Sequence, residues 1–174
     1  AGSGEIDVDF GAIPRELVRA DVVFLNIVPS SLPLLPLLKT CPAPVWVDLH
    51  DWDGQNPWHK AFIEHAHVVQ LSDEALGDNQ ADIIRDLFGR GIKMVVLTKG
   101  SKGAEILTSD GTHMTVAAHP VDQIIDSNGA GDTFMASLWA ALQGGKSLQQ
   151  AAELAAYHAA QTVQHSDLAP ERFK

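Results

Sequence analysis

The chain has 174 residues, of which 45% are apolar and 20% are charged, and its formal net charge at pH 7 is −10. This length and composition are typical of a single globular domain, here residues 1–174. The acidic balance argues against a nucleic acid or a membrane as partner, because both would favour a basic patch on the protein. One cysteine, Cys41, excludes an internal disulfide and fits a reducing compartment such as the cytoplasm. No apolar run reaches the ~18 residues that a membrane-spanning helix needs.

Four short apolar runs predict buried strands, at residues 22–28, 45–47, 68–71 and 94–97. The segments between these runs are long enough for crossover helices. The clearest helix is predicted over residues 80–90, where apolar side chains fall on one face and glycines mark the end. Continuous apolar strands that alternate with helices favour a parallel sheet covered by helices on both faces.

The pattern changes after residue 97. Two runs of alternating polarity flank Asp110-Gly111, which predicts an antiparallel hairpin late in the chain. A strand, a glycine turn and a helix are then expected, and this helix ends at Gly144-Gly145. The stretch Ser147-Leu-Gln-Gln150 is a capping box that predicts the start of another helix.

The stretch IIDSNGAGDTF, residues 124–134, joins the expected apolar strand to the start of a helix. Two glycines at a helix start leave backbone N–H groups exposed, and these unpaired donors attract an anion together with the helix dipole. Asp132 lies in the same turn, next to any negative group that the N–H groups hold. An acid in that position indicates a function, although the helix dipole alone also favours an acid in a first turn.

Three other patterns give weaker signals. Gly145-Lys146-Ser147 resembles the end of a Walker A loop, but an alanine occupies the position of the first required glycine. Gly129-x-Gly131 lacks the third glycine of a dinucleotide-binding fingerprint. His65 and His67 are two residues apart on a predicted helix, so they do not share a face as metal ligands would.

The stretch DSNGAGDTF, residues 126–134, resembles the C-terminal signature D-T-x-G-A-G-D of the ribokinase-like (PfkB) family of carbohydrate and nucleoside kinases. TKGSKGA, residues 98–104, resembles the T-x-G-x-x-G nucleotide loop of that family and lies at the expected distance upstream. Asp48-Leu49-His50, followed by Trp58, resembles a D-x-N…L-W segment with histidine in place of asparagine. The resemblance runs over about residues 14–163.

The resemblance implies an α/β fold, the ribokinase-like three-layer sandwich, with a mostly parallel sheet and a late antiparallel hairpin. It covers the second half of a typical family member, and the first half, which carries the lid sheet and most sugar contacts, is expected to be absent from this chain. It implies transfer of the γ-phosphoryl group of ATP to a hydroxyl of a sugar or nucleoside, with Mg²⁺ as cofactor. For some relatives it also implies a monovalent cation such as K⁺ and a homodimer.

The same resemblance assigns roles to individual residues. Asp132 is the expected general base, and the backbone from Asn128 through Gly129 and Ala130 to Gly131 is the expected anion hole. Glu74 and Asp126 are the expected metal-binding acids. The sequence SDEA, residues 72–75, stands where the family usually has N-x-x-E, so Glu74 or Asp73 is expected to replace the missing acid. Asp126 and Asn128 resemble positions that help bind a monovalent cation in some relatives. The expected nucleotide contacts are Ser72, Thr98, Lys99, Gly100, Ser101, Gly103, Asn128 and Gly131.

Simpler interpretations stay open from the residues alone. TKGSKG is also a plain turn between strands, Asp126 and Asn128 also suit an Asx turn, and Ser72 also suits a helix N-cap. A non-catalytic half of a kinase that keeps its nucleotide pocket would carry the same motifs. An α/β phosphatase or dehydrogenase domain that uses the glycine turn differently is a weaker alternative.

Overall fold

The computed structural model describes residues 11–166, so residues 1–10 and 167–174 of the predicted domain lie outside the described part. The described residues form a six-stranded sheet whose strands lie side by side in chain order. Strands β1 to β4 pair in parallel, and β5 and β6 continue the sheet as an antiparallel hairpin. The four predicted apolar strands and the late hairpin are therefore confirmed. The strands are β1 Val23–Asn26, β2 Val45–Asp48, β3 Val68–Ser72, β4 Met94–Thr98, β5 Ala104–Thr108 and β6 His113–Val116.

Helices connect the parallel strands and follow the hairpin. The α-helices are α1 Ile13–Arg19, α2 Leu35–Leu38, α3 Pro57–Ile63, α4 Gln80–Gly89, α5 Ala130–Gln143 and α6 Leu148–Thr162, with 3₁₀ turns at Pro29–Leu34, Gly77–Asn79 and Gly100–Lys102. The predicted capping box is present at the start of α6, where the Ser147 hydroxyl accepts a hydrogen bond from the Gln150 N–H and the Gln150 side chain accepts one from the Ser147 N–H. Of the helices described for residues 11–166, none combines the length and the apolar character needed to cross a bilayer.

Side chains alternate between the two faces of the sheet and build a hydrophobic core on each. On one face, residues such as Val47 and Val69 pack with α2, α3 and α4. On the other face, residues such as Trp46 and Val96 pack with α5 and α6. Helices on both faces of a sheet give the three-layer arrangement that the resemblance implies.

The parallel register places four polar side chains together at the carboxyl ends of the central strands. Asp48 of β2 pairs with Gln70 of β3, and Ser72 of β3 pairs with Thr98 of β4. Each of the four lies two or four residues after Trp46, Val68 or Val96, which pack against α5 and α6. Because side chains alternate along a strand, all four point to that face of the sheet. The carboxyl ends of parallel strands are where α/β proteins usually bind their ligands.

The prediction of a strand before the glycine turn is wrong. Residues 117–129 contain no strand, and Ile124 and Ile125 are 64% and 52% exposed. The backbone N–H groups of Ile125 and Asp126 donate to the carbonyl oxygen of Val163, at the end of α6, instead of to a neighbouring strand. The apolar pair therefore belongs to a loop that is tied to α6.

Candidate active site

The glycine turn forms the start of α5. Gly129 has a φ of 76°, in the left-handed region that favours glycine, and Ala130 is the first helical residue. The backbone N–H groups of Gly129, Gly131 and Asp132 donate to no acceptor within residues 11–166. Three unpaired donors at the positive end of a 14-residue helix provide a site for an anion.

The polar residues before the glycines fold into a tight turn. The Asn128 N–H donates to Asp126 Oδ1 at 2.9 Å, which is the Asx turn that the residues allow. The Ala130 N–H donates to the carbonyl of Ser127 at 3.4 Å. Two of the expected anion-hole donors therefore have partners, and the unpaired donors are those of the two glycines and Asp132.

Asp132 is exposed in the first turn of α5, two residues after the helix begins. Its own N–H group is one of the unpaired donors, so one residue supplies both a donor for an anion and a carboxylate. A carboxylate in that position can accept a proton from a group that approaches the bound anion.

A cleft of about 610 Å³ opens beside the glycine turn. Eight of the predicted site residues line it, and these are called its polar end: Ser72, Glu74, Thr98, Gly100, Ser101, Gly103, Ala130 and Gly131. Seven apolar lining residues are called its apolar end: Pro120, Val121, Ile124, Ala156, Ala159, Ala160 and Val163. The cleft can therefore accept a ligand that has both polar and apolar parts.

The two glycines of the loop after β4 are needed for different reasons. Gly100 has a φ of 53°, and a Cβ atom there would meet nothing within 4 Å, so this position leaves room for a ligand. Gly103 has a φ of 97°, and a Cβ atom there would collide with the backbone around Ala117 and Ala118. Gly103 is therefore required by the packing of the hairpin itself.

Lys99 is ion-paired within the hairpin. Its Nζ lies 2.5 Å from Glu105 Oε1, and His113 Nε2 lies 3.2 Å from the other carboxylate oxygen. The hydrogen bond from the Lys99 ammonium lowers the pKa of the Glu105 carboxyl, and His113 adds to this effect. Because Lys99 already neutralises a mostly buried acid, its charge is only partly available to a ligand.

Five predicted site residues do not line the cleft, namely Lys99, Asp126, Asn128, Gly129 and Asp132. Four of them belong to the glycine turn or the first turn of α5, which adjoin the polar end of the cleft. Lys99 is the exception, since it lies in the loop after β4.

Two buried polar residues beneath the glycine turn had no predicted role in the site. Gln70 Nε2 donates to Asp48 Oδ2 at 2.8 Å and to the carbonyl oxygen of Gly131 at 3.0 Å. The available signal was the amide of Gln70 inside the apolar run VVQLS, where a buried strand needs no polar side chain.

For a divalent cation, the described residues offer single carboxylates. Within residues 11–166, no three His, Cys, Asp or Glu side chains form a cluster that could hold a metal ion. Mg²⁺ in nucleotide sites is usually held by one or two carboxylates together with phosphate groups. Glu74 provides an exposed carboxylate on the cleft wall. Asp126, the other expected ligand, already accepts a hydrogen bond from Asn128 with one oxygen.

Known proteins with similar sequences are kinases and phosphotransferases. The family model of the pfkB family carbohydrate kinases matches residues 59–171. The acarbose 7(IV)-phosphotransferase of an Actinoplanes species is 32% identical over 141 residues, which are 77% of this chain and 46% of that protein. The cytidine kinase of Thermococcus kodakarensis is 27% identical over 154 residues, 82% of this chain and 55% of that protein. The chain thus spans about half the length of these curated relatives.

A solved kinase structure has a similar fold. The structure of a microbiome-derived acarbose kinase matches 94% of this chain and 57% of its own, with a TM-score of 0.79 and 28% identity. The chain therefore belongs to the pfkB family of carbohydrate kinases.

Proposed function

We propose that the chain is the nucleotide-binding and catalytic part of a kinase that transfers the γ-phosphoryl group of ATP to a hydroxyl of a sugar or nucleoside. The observation that carries this proposal is the start of α5, where unpaired N–H groups adjoin the exposed carboxylate of Asp132. A site with donors for an anion and an acceptor for a proton suits a reaction between a phosphate and a hydroxyl. Membership of the family supports the same chemistry.

Asp132 acts as the general base in the proposed reaction. The acceptor hydroxyl oxygen forms a bond to the γ-phosphorus while the bond from that phosphorus to the bridging oxygen of ATP breaks. The electron pair of the broken bond leaves with ADP, and the hydroxyl proton passes to the Asp132 carboxylate. The N–H groups of Gly129, Gly131 and Asp132 stabilise the negative charge on the oxygens of the transferred phosphoryl group.

The polar end of the cleft is the proposed phosphate site. Thr98, Gly100 and Ser101 lie there together with the glycine turn, so backbone and hydroxyl donors surround the phosphates. Glu74 is the residue that would hold Mg²⁺ there, and this ion supplies neutralisation of the phosphate charge when bound. Dependence on a monovalent cation and formation of a homodimer stay predictions of the family resemblance.

The apolar end of the cleft is the proposed site of the nucleotide base. Ala156, Ala159 and Ala160 of α6 present small side chains to the cleft, which leaves space for a planar ring. Ile124, which is 64% exposed in the loop before the glycine turn, lines the same end. Its exposure is consistent with an apolar surface that a base covers on binding.

An assay of the full-length gene product with ATP, Mg²⁺ and a panel of sugars and nucleosides tests the proposal. The expected result is ATP-dependent phosphorylation of at least one acceptor, detected as ADP release and as the mass of the phosphorylated product. ATP binding without phosphorylation of any acceptor would favour the alternative, a non-catalytic nucleotide-binding half of a kinase-like protein.

The acceptor is expected to need more contacts than the 174-residue chain provides. Relatives of about twice the length support this expectation, because the chain spans 46% and 55% of them. Positioning a reactive group is worth up to ~7–11 kcal/mol in such reactions. The chain alone should therefore bind ATP and at most hydrolyse it slowly, and acceptor phosphorylation at an ordinary kinase rate, roughly 1–100 per second, would contradict this.

A further inference from the structure

Asp48 and Gln70 form a buried polar pair next to the hydrophobic core that the sheet shares with α5 and α6. They lie directly opposite each other in the register of β2 and β3, and they are 7% and 1% exposed. Trp46 and Val68, two residues earlier on the same strands, pack against α5 and α6. A carboxylate and an amide are unfavourable in such a place unless hydrogen bonds replace their contacts with water.

The hydrogen bonds of this pair reach the glycine turn. Gln70 Nε2 donates to Asp48 Oδ2 at 2.8 Å and to the Gly131 carbonyl at 3.0 Å, so both amide hydrogens are used. The opposite orientation of the amide would place its oxygen against two acceptors, so the partners fix the orientation. Asp48 Oδ1 in turn accepts from the N–H of His50 at 2.8 Å. The chain of contacts therefore runs from the end of β2 through β3 to α5.

The amide at position 70 is only partly paired. Gln70 Oε1 is buried and has no hydrogen-bond partner within residues 11–166. An unpaired buried acceptor is destabilising, whereas the two hydrogen bonds that Gln70 donates satisfy the Asp48 carboxylate and reach the Gly131 carbonyl. The value of Gln70 at this position therefore lies in its two donated hydrogen bonds.

The contact with Gly131 has a direct geometric consequence for the anion site. The carbonyl of Gly131 and the N–H of Asp132 belong to one planar peptide unit, in which they point in opposite directions. A hydrogen bond that holds the carbonyl therefore also aims the N–H of Asp132, which is one of the unpaired donors. Donation to the carbonyl also polarises the peptide and strengthens its N–H as a donor.

The absence of a side chain at position 131 allows this contact. A Cβ atom on Gly131 would lie 3.1 Å from Gln70 Nε2 and 3.4 Å from Asp48 Oδ2. The 3.1 Å distance is shorter than ordinary van der Waals contact, so a larger residue would push the amide away from the helix.

We propose that Gln70 is a positioning residue for phosphoryl transfer, because it ties the Gly131–Asp132 peptide to Asp48 and so aims the Asp132 N–H at the transferred group. The inference rests on the proposed kinase function. Gln70 contacts the peptide, and other residues are expected to contact the substrates. Its loss should therefore reduce kcat much more than it changes the KM for ATP.

The test compares Gln70→Leu with Val69→Ala in the full-length gene product. Val69 is the neighbouring residue of β3, is fully buried and faces the opposite core, so Val69→Ala destabilises the same strand without touching the glycine turn. Gln70→Leu should lower kcat by about 100-fold, the size expected for a misplaced catalytic group. Val69→Ala should lower the melting temperature at least as much while kcat stays near the parent value. A kcat for Gln70→Leu no lower than that of Val69→Ala would overturn the inference.

Gln70→Glu provides a second readout that a merely structural role would not move. An ionised carboxylate at position 70 would face the Asp48 carboxylate and the Gly131 carbonyl, whereas its protonated form can donate one hydrogen bond. The ratio of kcat for Gln70→Glu to kcat for the parent should therefore rise as the pH falls. A ratio that does not change with pH would count against the inference.

An NMR measurement separates failure of this inference from failure of the proposed function. If the parent phosphorylates no acceptor, the kinase proposal fails, and the amide resonance of Asp132 still reports on the contact. Gln70→Leu should shift this resonance and speed its hydrogen exchange, whereas Val69→Ala should not. An Asp132 amide that behaves alike in the parent and in Gln70→Leu would show that Gln70 does not hold the peptide.

Discussion

The hydroxyl groups of Thr133 and Thr162 are hydrogen-bonded at 3.0 Å. Thr133 follows Asp132 in the first turn of α5, and Thr162 is the last residue of α6 and is 1% exposed. The turn that carries the expected base is thereby joined to the helix that forms the apolar wall of the cleft. The two ends of the proposed nucleotide site therefore have a fixed relative position.

The first prediction concerns the base. Asp132→Asn should lower kcat by roughly 10²–10⁴-fold, the usual contribution of general base catalysis, with little change in ATP affinity. Steady-state assays and calorimetry measure the two quantities. Asp78→Asn is the matched control, because Asp78 is also exposed but lies in the turn Gly77–Asn79, away from the cleft. Turnover of Asp132→Asn near the parent rate would refute the assignment.

A second prediction concerns the space at Gly131. Gly131→Ala places a methyl group 3.1 Å from Gln70 Nε2, so the backbone must shift, and the distorted turn that carries the anion-site donors should bind ATP more weakly. The larger Gly131→Val should abolish ATP binding. Calorimetry on the folded variants measures the effect.

Gly89→Ala is the control for this prediction. Gly89 is the last residue of α4, and a Cβ atom there would meet nothing within 4 Å. Both changes replace a helical glycine with alanine, so a loss of ATP binding in Gly131→Ala alone shows that the effect comes from the glycine turn. Unchanged ATP affinity in Gly131→Val would refute the anion site.

A third prediction tests the apolar end of the cleft. Ala159→Leu should fill the space proposed for the nucleotide base and reduce ATP affinity by roughly 10-fold or more, while the melting temperature changes little. Ala136→Leu is the control, because Ala136 lines a separate groove between α5 and α6. If both variants bind ATP as the parent does, the base does not lie against Ala159.

The fourth prediction concerns stability at acid pH. His59 is 7% exposed, its ring stacks on Trp52, and its Nδ1 has no hydrogen-bond partner within residues 11–166. Burial lowers the pKa of His59, although the negative charges of Asp51 and Asp53 partly raise it again. The unfolded chain then binds the proton more readily, so the free energy of unfolding should fall as the pH drops below about 6.5.

His59→Phe should remove this part of the pH dependence, because phenylalanine keeps the stacking on Trp52 and does not titrate. Urea unfolding of both proteins over the pH range from about 7.5 to 5.5 measures the difference. Burial also lowers the pKa of His65, but that residue is present in both proteins and its contribution cancels. Parallel curves for the parent and the variant would contradict the prediction.

The sequence predicted the elements whose residues satisfy their own local pattern. Continuous apolar runs gave β1 to β4, and Asp110-Gly111 gave the hairpin, because these signals depend on neighbouring residues alone. The apolar pair Ile124-Ile125 wrongly predicts a strand, because it does not reveal whether a partner strand lies beside it. The backbone N–H groups of Ile125 and Asp126 donate to the carbonyl of Val163 at the end of α6 instead.

How far the sequence predicts the site depends on the same distinction between local and distant residues. The glycine turn could be recognised because its donors and its acid lie within one short stretch. The contact of Gln70 with Asp48 could not be, because these residues meet only through the register of two strands. Lys99 was expected at the phosphates, but the hairpin brings Glu105 within 2.5 Å of its ammonium group.

The order of the strands in the sheet has a consequence for how the molecule folds. Each strand lies next to the strand that was synthesised just before it, so the sheet can grow by short-range pairings as the chain leaves the ribosome. The bond from Gln70 to Gly131 closes a separation of 61 residues and must wait until α5 docks. The growing chain should therefore expose the apolar face around Trp46 until the last two helices cover it, and the glycine turn should reach its final shape only in that closing step.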